Sequence, residues 1–425
     1  SLIKTREDTK MPTAFPRQTL RIGFVGSGFI AHFHLKALVG VRNVEVTGVY
    51  SPTEAKRQAF ADAVRDLDLG PCTAYPSLEA LCAAPDVDAI WILSPNYTRL
   101  EVMRTLHGLV TAGRSQVFAV ACEKPLARTL PEAREMLRLA EAAKLNHGYL
   151  ENQVFSTAVA RGKDIIWRRA VPSAGRPYLA RAAEEHAGPH EPWFWKGDQQ
   201  GGGVLLDMMC HSVEVARFLL TRPDSPRASL RLKSATGAIA SLKWTRPQYA
   251  AELKARMGAS VDYSRRASED FARGMVTLED EFGQEVIIEA TTSWAYVGAG
   301  LRIQIEMLGP EYALEFSSLS TGLKVFMSRK ISGGEGEDLV EKQNAEQGLM
   351  PVLDDEAGIY GYTDENRHMV ECFRRGQTPI ETFADGVAVT EILMALYKSA
   401  EEGRTVHFDR EDLTDFVPAV GKPEA

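Results

Sequence analysis

The chain predicts an α/β protein whose first third builds a doubly wound parallel sheet. Three observations carry this. Short β-branched runs alternate with segments of helical period from residue 20 to about 145. The first run ends in a glycine turn that opens directly into a helix. Farther on, VTLEDEFGQEVIIEATTSW and LRIQIEMLGPEYALEF alternate at period two between turn residues, the pattern of antiparallel strands. The chain has 425 residues, 44% of them hydrophobic and 25% charged, which suits two domains with sizeable cores.

In order, TLRIGFVG reads as the first strand and GSGFIAHFHLKAL as the first helix. VEVTGVYS, VDAIWILSPN and VFAVACEKP read as the next strands, and TEAKRQAFADAVRDL, LEVMRTLHGLVTAG and LPEAREMLRLAEAAKL as their helices. The first turn carries Gly26-x-Gly28-x-x-Ala31. Gly26 permits the tight turn, Gly28 lets a pyrophosphate approach the backbone, and Ala31 lets helix and strand pack closely. The helix opening at Phe29 and Ile30 then offers unpaired N–H groups to the phosphates. A dinucleotide site is expected here, completed by Ser51 and by Ser94, Pro95 and Asn96 at later strand ends.

Tyr50-Ser51-Pro52 closes the second strand without the acid that usually holds an adenosine ribose. Glu45 stands too early in that strand. Lys56 and Arg57 either favour a 2′-phosphate or form a solvated helix face. NAD is the expected cofactor, with NADP left open.

A net charge of −8 argues against nucleic acid or an anionic membrane as partner. No apolar run approaches the roughly eighteen residues of a membrane span. Cys72, Cys82, Cys122, Cys210 and Cys372 are odd in number and irregularly spaced, which suits reduced thiols in the cytoplasm and no metal site. Residues 1–18 read as a polar tail, 19–150 as the dinucleotide domain and 151–425 as a domain for substrate and oligomerisation.

The run GGGVLLDMMCHSVEVARFLL begins at Gly201 and sets Asp207 and His211 four residues apart, on one helix face. By spacing alone, Asp207, His211 and Glu214 form the polar stripe of an amphipathic helix.

With CEKPL after GSGFIA and SPN, the sequence resembles the glucose-fructose oxidoreductase / inositol dehydrogenase / MocA-type (Gfo/Idh/MocA) family from Leu20 to about Phe408. Its specific part is Glu-Lys-Pro after a strand, followed roughly eighty residues later by GGG and Asp-x-x-x-His. The resemblance implies a Rossmann domain and a C-terminal α/β domain with an open, mainly antiparallel sheet. It implies hydride transfer between a nicotinamide cofactor and a secondary hydroxyl of a sugar, cyclitol or glycoside. Lys124 matches the family's active-site lysine, Asp207 its carboxylate and His211 its proton-transfer group. Glu123 and Gln153 join the cofactor site, and Asn152 stands near the nicotinamide. Subunits are expected to pair through the sheet as a dimer or tetramer, and the helix near 384–402 to pack back on the Rossmann domain.

The chemistry agrees with these roles. Histidine accepts a hydroxyl proton near neutral pH, and a cationic lysine stabilises the developing alkoxide. Asp207 is expected to orient His211 or to hold a second hydroxyl. Two other functions stay open at this point: a glycoside hydrolase that oxidises C3 transiently with bound NAD, and a non-catalytic sugar or dinucleotide sensor.

The segment RPYLARAAEEHAGPHEPWFWKGDQQGGG supplies Trp193, Phe194 and Trp195, with His186, His190 and Lys196 around them. Aromatic rings make walls for sugar C–H faces, and the polar groups read hydroxyls. The same tryptophans also suit a core plug. Arg181 and Lys196 are expected to accommodate an anionic group. His32 and His34 read as packing or surface residues. Three features depart from the family: Met209 replaces a common glycine, Arg99 stands where a histidine is frequent, and LKWTRPQYAAELKARMGASVDYSRRASEDF looks inserted.

Overall fold

Strands covered by helices on both faces need near-continuous apolar runs. β1 (Leu20–Val25) and β4 (Ala89–Ile92) have them, with only Arg21 partly exposed between the two. The computed structural model describes residues 19–330 and 348–424, so the expected tail lies outside the described residues. Between and after these strands come α1 (Phe29–Leu38), β2 (Val44–Tyr50), α2 (Glu54–Asp66), β3 (Thr73–Ala74) and α3 (Leu78–Cys82). The unit closes with α4 (Arg99–Thr111), β5 (Ala119–Glu123), α5 (Leu130–Ala142) and β6 (Asn146–Leu150). All six strands are parallel, in the order β3-β2-β1-β4-β5-β6. The order reverses between β1 and β4, and such a switch opens a crevice at the carboxyl ends of the strands.

The chain continues through a 3₁₀ turn (Asn152–Phe155), α6 (Thr157–Ile165) and α7 (Val171–Ala174) to β7 (Leu179–Glu185). α8 (Gly197–Gln200) and the glycine run precede a π-helical turn (Leu205–Met209) that flows into α9 (Cys210–Leu220). Next come β8 (Arg231–Ala240), α10 (Pro247–Met257), β9 (Phe271–Glu279), β10 (Glu285–Ser293), β11 (Arg302–Gly309) and β12 (Tyr312–Ser317). β13 (Leu323–Met327) and β14 (Gly348–Val352) form a small separate sheet. α11 (Glu356–Ile359), α12 (Tyr362–Arg375), α13 (Phe383–Glu402) and β15 (Val406–His407) follow. The second sheet runs β12-β11-β7-β10-β9-β8-β15, antiparallel except where β7 meets β10. The two runs read at period two are the antiparallel pairs β9–β10 and β11–β12.

Residues alternate buried and more exposed along β9, β10 and β11, so one face of this sheet is apolar. The sequence reading expects a second subunit over that face. Helices of the same chain take that place: α9 packs on β7 and β10, and α13 on β8. The opposite face carries a cross-strand ladder in which Arg181 meets Glu289 at 3.8 Å and Glu306 at 3.3 Å. Polar faces of antiparallel sheets can meet water directly.

α13 also packs on α5 and so ties the second sheet to the first. Its start is a capping box, with Thr382 and Asp385 satisfying each other's backbone N–H groups. Every residue of α9 except Phe218 is buried, so Asp207, His211 and Glu214 are not a wet stripe. The inserted segment forms α10 and joins the second core through Trp244, Leu253, Val261 and Tyr263. No helix among the described residues is long and apolar enough to cross a membrane.

Candidate active site

A cavity of about 800 Å³ opens at the carboxyl ends of the parallel strands, between the two sheets. The turn after β1 brings Gly26, Gly28, Phe29 and Ile30 to its wall, and the ends of β2 and β4 bring Ser51, Ser94, Pro95 and Asn96. Gly26 has φ +111°, and a Cβ there would lie 2.9 Å from the Leu93 backbone. A Cβ on Gly28 would meet nothing within 4 Å, so its bare backbone faces open space. α1 starts without a side-chain cap, which leaves its first N–H groups to whatever fills the crevice. Buried Asn96 Oδ1 and Glu123 Oε1, both on residues lining the cavity, have no hydrogen-bond partner. Glycine cradle, uncapped helix and unmet acceptors fit a dinucleotide. Arg57 bonds the carbonyls of Ser51 and Pro52, while Lys56 lines the cavity beside Thr53.

Lys124 follows β5 directly and enters the same cavity. Its ammonium donates to the Asp207 carbonyl at 2.8 Å and lies 3.4 Å from Asp207 Oδ1. Burial is the largest influence and disfavours the charge, but Asp207 and further acids outweigh it and hold Lys124 protonated. Asp207 Oδ2 accepts from Trp294 Nε1 at 3.1 Å. The orientation expected from Asp207 on His211 comes from elsewhere. His211 Nδ1 lies 2.5 Å from Glu151 Oε1, and its Nε2 lies 3.7 Å from Glu184 Oε2. One turn of spacing puts Asp207 and His211 on one face, yet Asp207 is drawn to Lys124 and Trp294.

Behind these groups, His34 Nε2 meets Glu123 Oε2 at 2.7 Å and His34 Nδ1 accepts from Asn366 at 3.0 Å, so His34 packs in the interior. Burial works against the Glu123 carboxylate, but His34, Lys124 and Arg99 hold it below the usual range. Arg99 clamps the strand ends by donating to the carbonyls of Ser94, Glu123 and Pro125.

Of the expected substrate residues, Asn152, His186, Trp193, Asp207 and His211 line the cavity, as does Gln153. Asn152 donates to the Tyr360 carbonyl at 2.7 Å, and Gln153 Nε2 to Glu184 Oε2 at 3.1 Å. Three others do not. Arg181 lies on the outer sheet face, because strand alternation sends it opposite to Glu184. Trp195 is buried against Trp244, Tyr263 and Trp294, with its indole N–H donated to the Pro189 carbonyl; the core plug is its role. Lys196 lies outside the cavity wall, where its backbone opens α8. Phe194 stacks on Trp193 with centroids 3.8 Å apart, and both line the cavity. Met209 is fully buried and points to the second sheet, beside Gly274. Its neighbour Met208 takes the cavity wall.

Glu151 and Glu184 are the site residues that the motifs miss. An acid at a strand's carboxyl end signalled the first, and the period of LARAAEE the second. Among the described residues, Glu214, Glu381 and Asp385 form a three-acid cluster with metal-like spacing. Arg227 and Arg217 already supply its cations.

A lysine and an imidazole facing a dinucleotide crevice at the switch point of a parallel sheet define a class, the nicotinamide-dependent oxidoreductases. Residues 20–148 match the oxidoreductase family with an NAD-binding Rossmann fold, and residues 173–311 match the GFO/IDH/MocA C-terminal domain. The chain belongs to the Gfo/Idh/MocA family. It is similar to 1,5-anhydro-D-fructose reductase of Ensifer adhaerens, 30% identical over 51% of this chain. That match spans 61% of the reductase's own length. It is 22% identical to levoglucosan dehydrogenase of Pseudarthrobacter phenanthrenivorans over 92% of this chain and 91% of that one. The crystal structure of GenD2 from gentamicin A biosynthesis, in complex with NAD, superposes with TM-score 0.73. It is 22% identical and covers 94% of this chain and 99% of its own.

Proposed function

We propose that the protein interconverts a secondary hydroxyl and a carbonyl on a sugar, cyclitol or glycoside, using NAD. The convergence of Lys124 Nζ and the His211 ring on one cavity beside the glycine turn carries this reading. A nicotinamide held by the glycine turn and the strand ends would supply the hydride chemistry at the carbinol carbon. The chain's own residues manage the oxygen. Lys124 stabilises negative charge on it, and His211 exchanges its proton at Nε2, since Nδ1 is engaged by Glu151. Asp207 holds Lys124 in place. Trp193 and Phe194 offer flat walls to the ring's C–H faces.

The names of the relatives, which include a sugar reductase and levoglucosan and inositol dehydrogenases, support a carbohydrate or cyclitol substrate. The test is a panel of sugars, cyclitols and aryl glycosides incubated with protein and NAD. NADH formation on one of them is expected. Aglycone release without NADH would replace this reading by redox-neutral cleavage, and silence across the panel would overturn it. Subunit pairing through the second sheet would join polar faces; sedimentation at micromolar concentration tests for the expected dimer.

A further inference from the structure

His211 has a carboxylate at each ring nitrogen. Glu151 Oε1 stands 2.5 Å from Nδ1, and Glu184 Oε2 stands 3.7 Å from Nε2. Glu151 follows β6 directly and is wholly buried; its Oε1 also accepts the Gln153 N–H at 3.2 Å, and its Oε2 has no hydrogen-bond partner. Glu184 sits on the buried face of β7, accepts from Gln153 Nε2 and lines the cavity. Only one of these acids is needed to orient an imidazole. Resting on the oxidoreductase reading above, we propose that Glu151 is the positioning residue for proton transfer at His211 and that Glu184 is a second, substrate-touching catalytic carboxylate.

Glu151 decides which nitrogen works, because an occupied Nδ1 leaves Nε2 for the substrate oxygen. With Nε2 and Glu184 Oε2 3.7 Å apart, the reacting oxygen at Nε2 and an adjacent hydroxyl of the same substrate at Oε2 can be held side by side. In oxidation the substrate O–H bond breaks and its proton becomes the Nε2–H, while the carbon's hydride passes to NAD. In reduction the Nε2–H bond breaks and the substrate O–H forms. Glu184 accepts the hydrogen bond of a neighbouring substrate hydroxyl, whose proton stays in place, so the single proton of the reacting oxygen is left to Nε2 in both directions.

The array also sets the resting charge. Glu151, Glu184 and Lys124 face the ring from three neighbouring elements, with Asp207 and Cys210 on its own helical segment and Glu365 of α12 behind Glu151. Burial is the largest influence and opposes the imidazolium, as does Lys124, yet the two glutamates outweigh both and raise His211 above its ordinary value. Burial, with Glu123 and Glu151 nearby, pushes Glu365 far up, so it stays protonated. His211 therefore keeps the proton that a carbonyl oxygen needs over a wider pH range than an ordinary imidazole. Oxidation, which needs the neutral ring, rises with pH.

Histidine-selective NMR titration of the NAD-bound protein tests this, with His211→Asn identifying the signal. His211 is expected to titrate above the ordinary imidazole value. Glu151→Gln should lower its midpoint by about one pH unit or more, and Glu151→Asp should recover most of that. The acid limb of kcat/KM for oxidation should move by the same amount in Glu151→Gln. Glu184→Gln should lower kcat by about 10- to 100-fold with NAD binding retained. A His211 midpoint at or below the ordinary imidazole value in the unsubstituted protein overturns the array, whether or not any variant folds. An unmoved midpoint in Glu151→Gln reduces Glu151 to packing, and unchanged kcat in Glu184→Gln removes Glu184 from the chemistry. Failure of the oxidoreductase reading shows separately, as no NADH formed by a protein whose His211 titrates as described.

Discussion

The Tyr397 hydroxyl accepts the backbone N–H of Gly203 at 2.9 Å and of Leu206 at 3.2 Å, so α13 holds the turn that carries Asp207. Its own proton goes to Glu269 Oε1 at 2.5 Å, which also accepts from Gly203 and Leu205 at 3.1 Å each. One donor and two acceptor positions are thus all used. The glycines follow from this crowding: a Cβ on Gly202 would collide with the Tyr397 hydroxyl, and one on Gly203 would stand 2.6 Å from the Glu269 carboxylate. Gly203→Ala should cost about 1–3 kcal/mol, as overpacked interiors do. Denaturant unfolding measures the cost, and loss of turnover should exceed loss of NAD affinity.

Burial pushes the Glu269 carboxyl up to about 7, against the hydrogen bonds it accepts. A folded-state value above the unfolded one means stability present at low pH and lost as pH rises through about 7. Glu269→Gln keeps an acceptor oxygen and removes the charge. Its stability should change less between pH 5 and 8 than that of the unsubstituted protein, with the gap reaching about 3 kcal/mol at most. Parallel slopes in denaturation at the two pH values would remove this role.

Trp193 and Trp195 are two residues apart with opposite duties. Trp195→Ala empties a core position among three aromatic rings and should cost about 3–5 kcal/mol. Trp193→Ala should cost under about 1 kcal/mol and raise KM for the substrate instead. Thermal unfolding beside steady-state kinetics separates them.

His211→Ala should lower kcat/KM by about 10²- to 10⁴-fold while NAD binding stays within a few-fold. Lys124→Met should lower kcat by about 10²- to 10³-fold, and also leaves Asp207 buried without its cation, so thermal stability should fall too. Survival of turnover within a few-fold in either variant would remove that residue from the chemistry.

Lys56 lines the cavity where the second strand ends without an acid. Lys56→Ala should leave NAD affinity unchanged and weaken NADP several-fold, about the strength of an exposed ion pair. Fluorescence titration with each nucleotide reads the difference.

Much of the fold is legible in local pattern. Helical and strand periods and the glycine turn are set within a few residues, so they show in any short window. β3 is only two residues long and carries no period to read. Glu151 and Glu184 escape motif reading for a different reason. A carboxylate near a histidine in space leaves no mark in the spacing when 60 residues intervene, as between Glu151 and His211.

By itself the sequence determined the parallel sheet, the dinucleotide turn, and the placement of Lys124 and the Asp207–His211 pair on defined elements. Local geometry dictates these: a strand end, a tight turn, one helical turn of spacing. Only the tertiary structure decided what each group faces. Packing buried α9 against the second sheet and α13 and made Asp207 and His211, two members of an apparent wet stripe, part of a cavity wall. It turned the Glu184 face of β7 to the cavity and the Arg181 face away, put Trp195 in the core and left Trp193 in the cleft. It also gave His211 to Glu151 and Asp207 to Lys124, because side-chain partners are chosen by which surfaces meet.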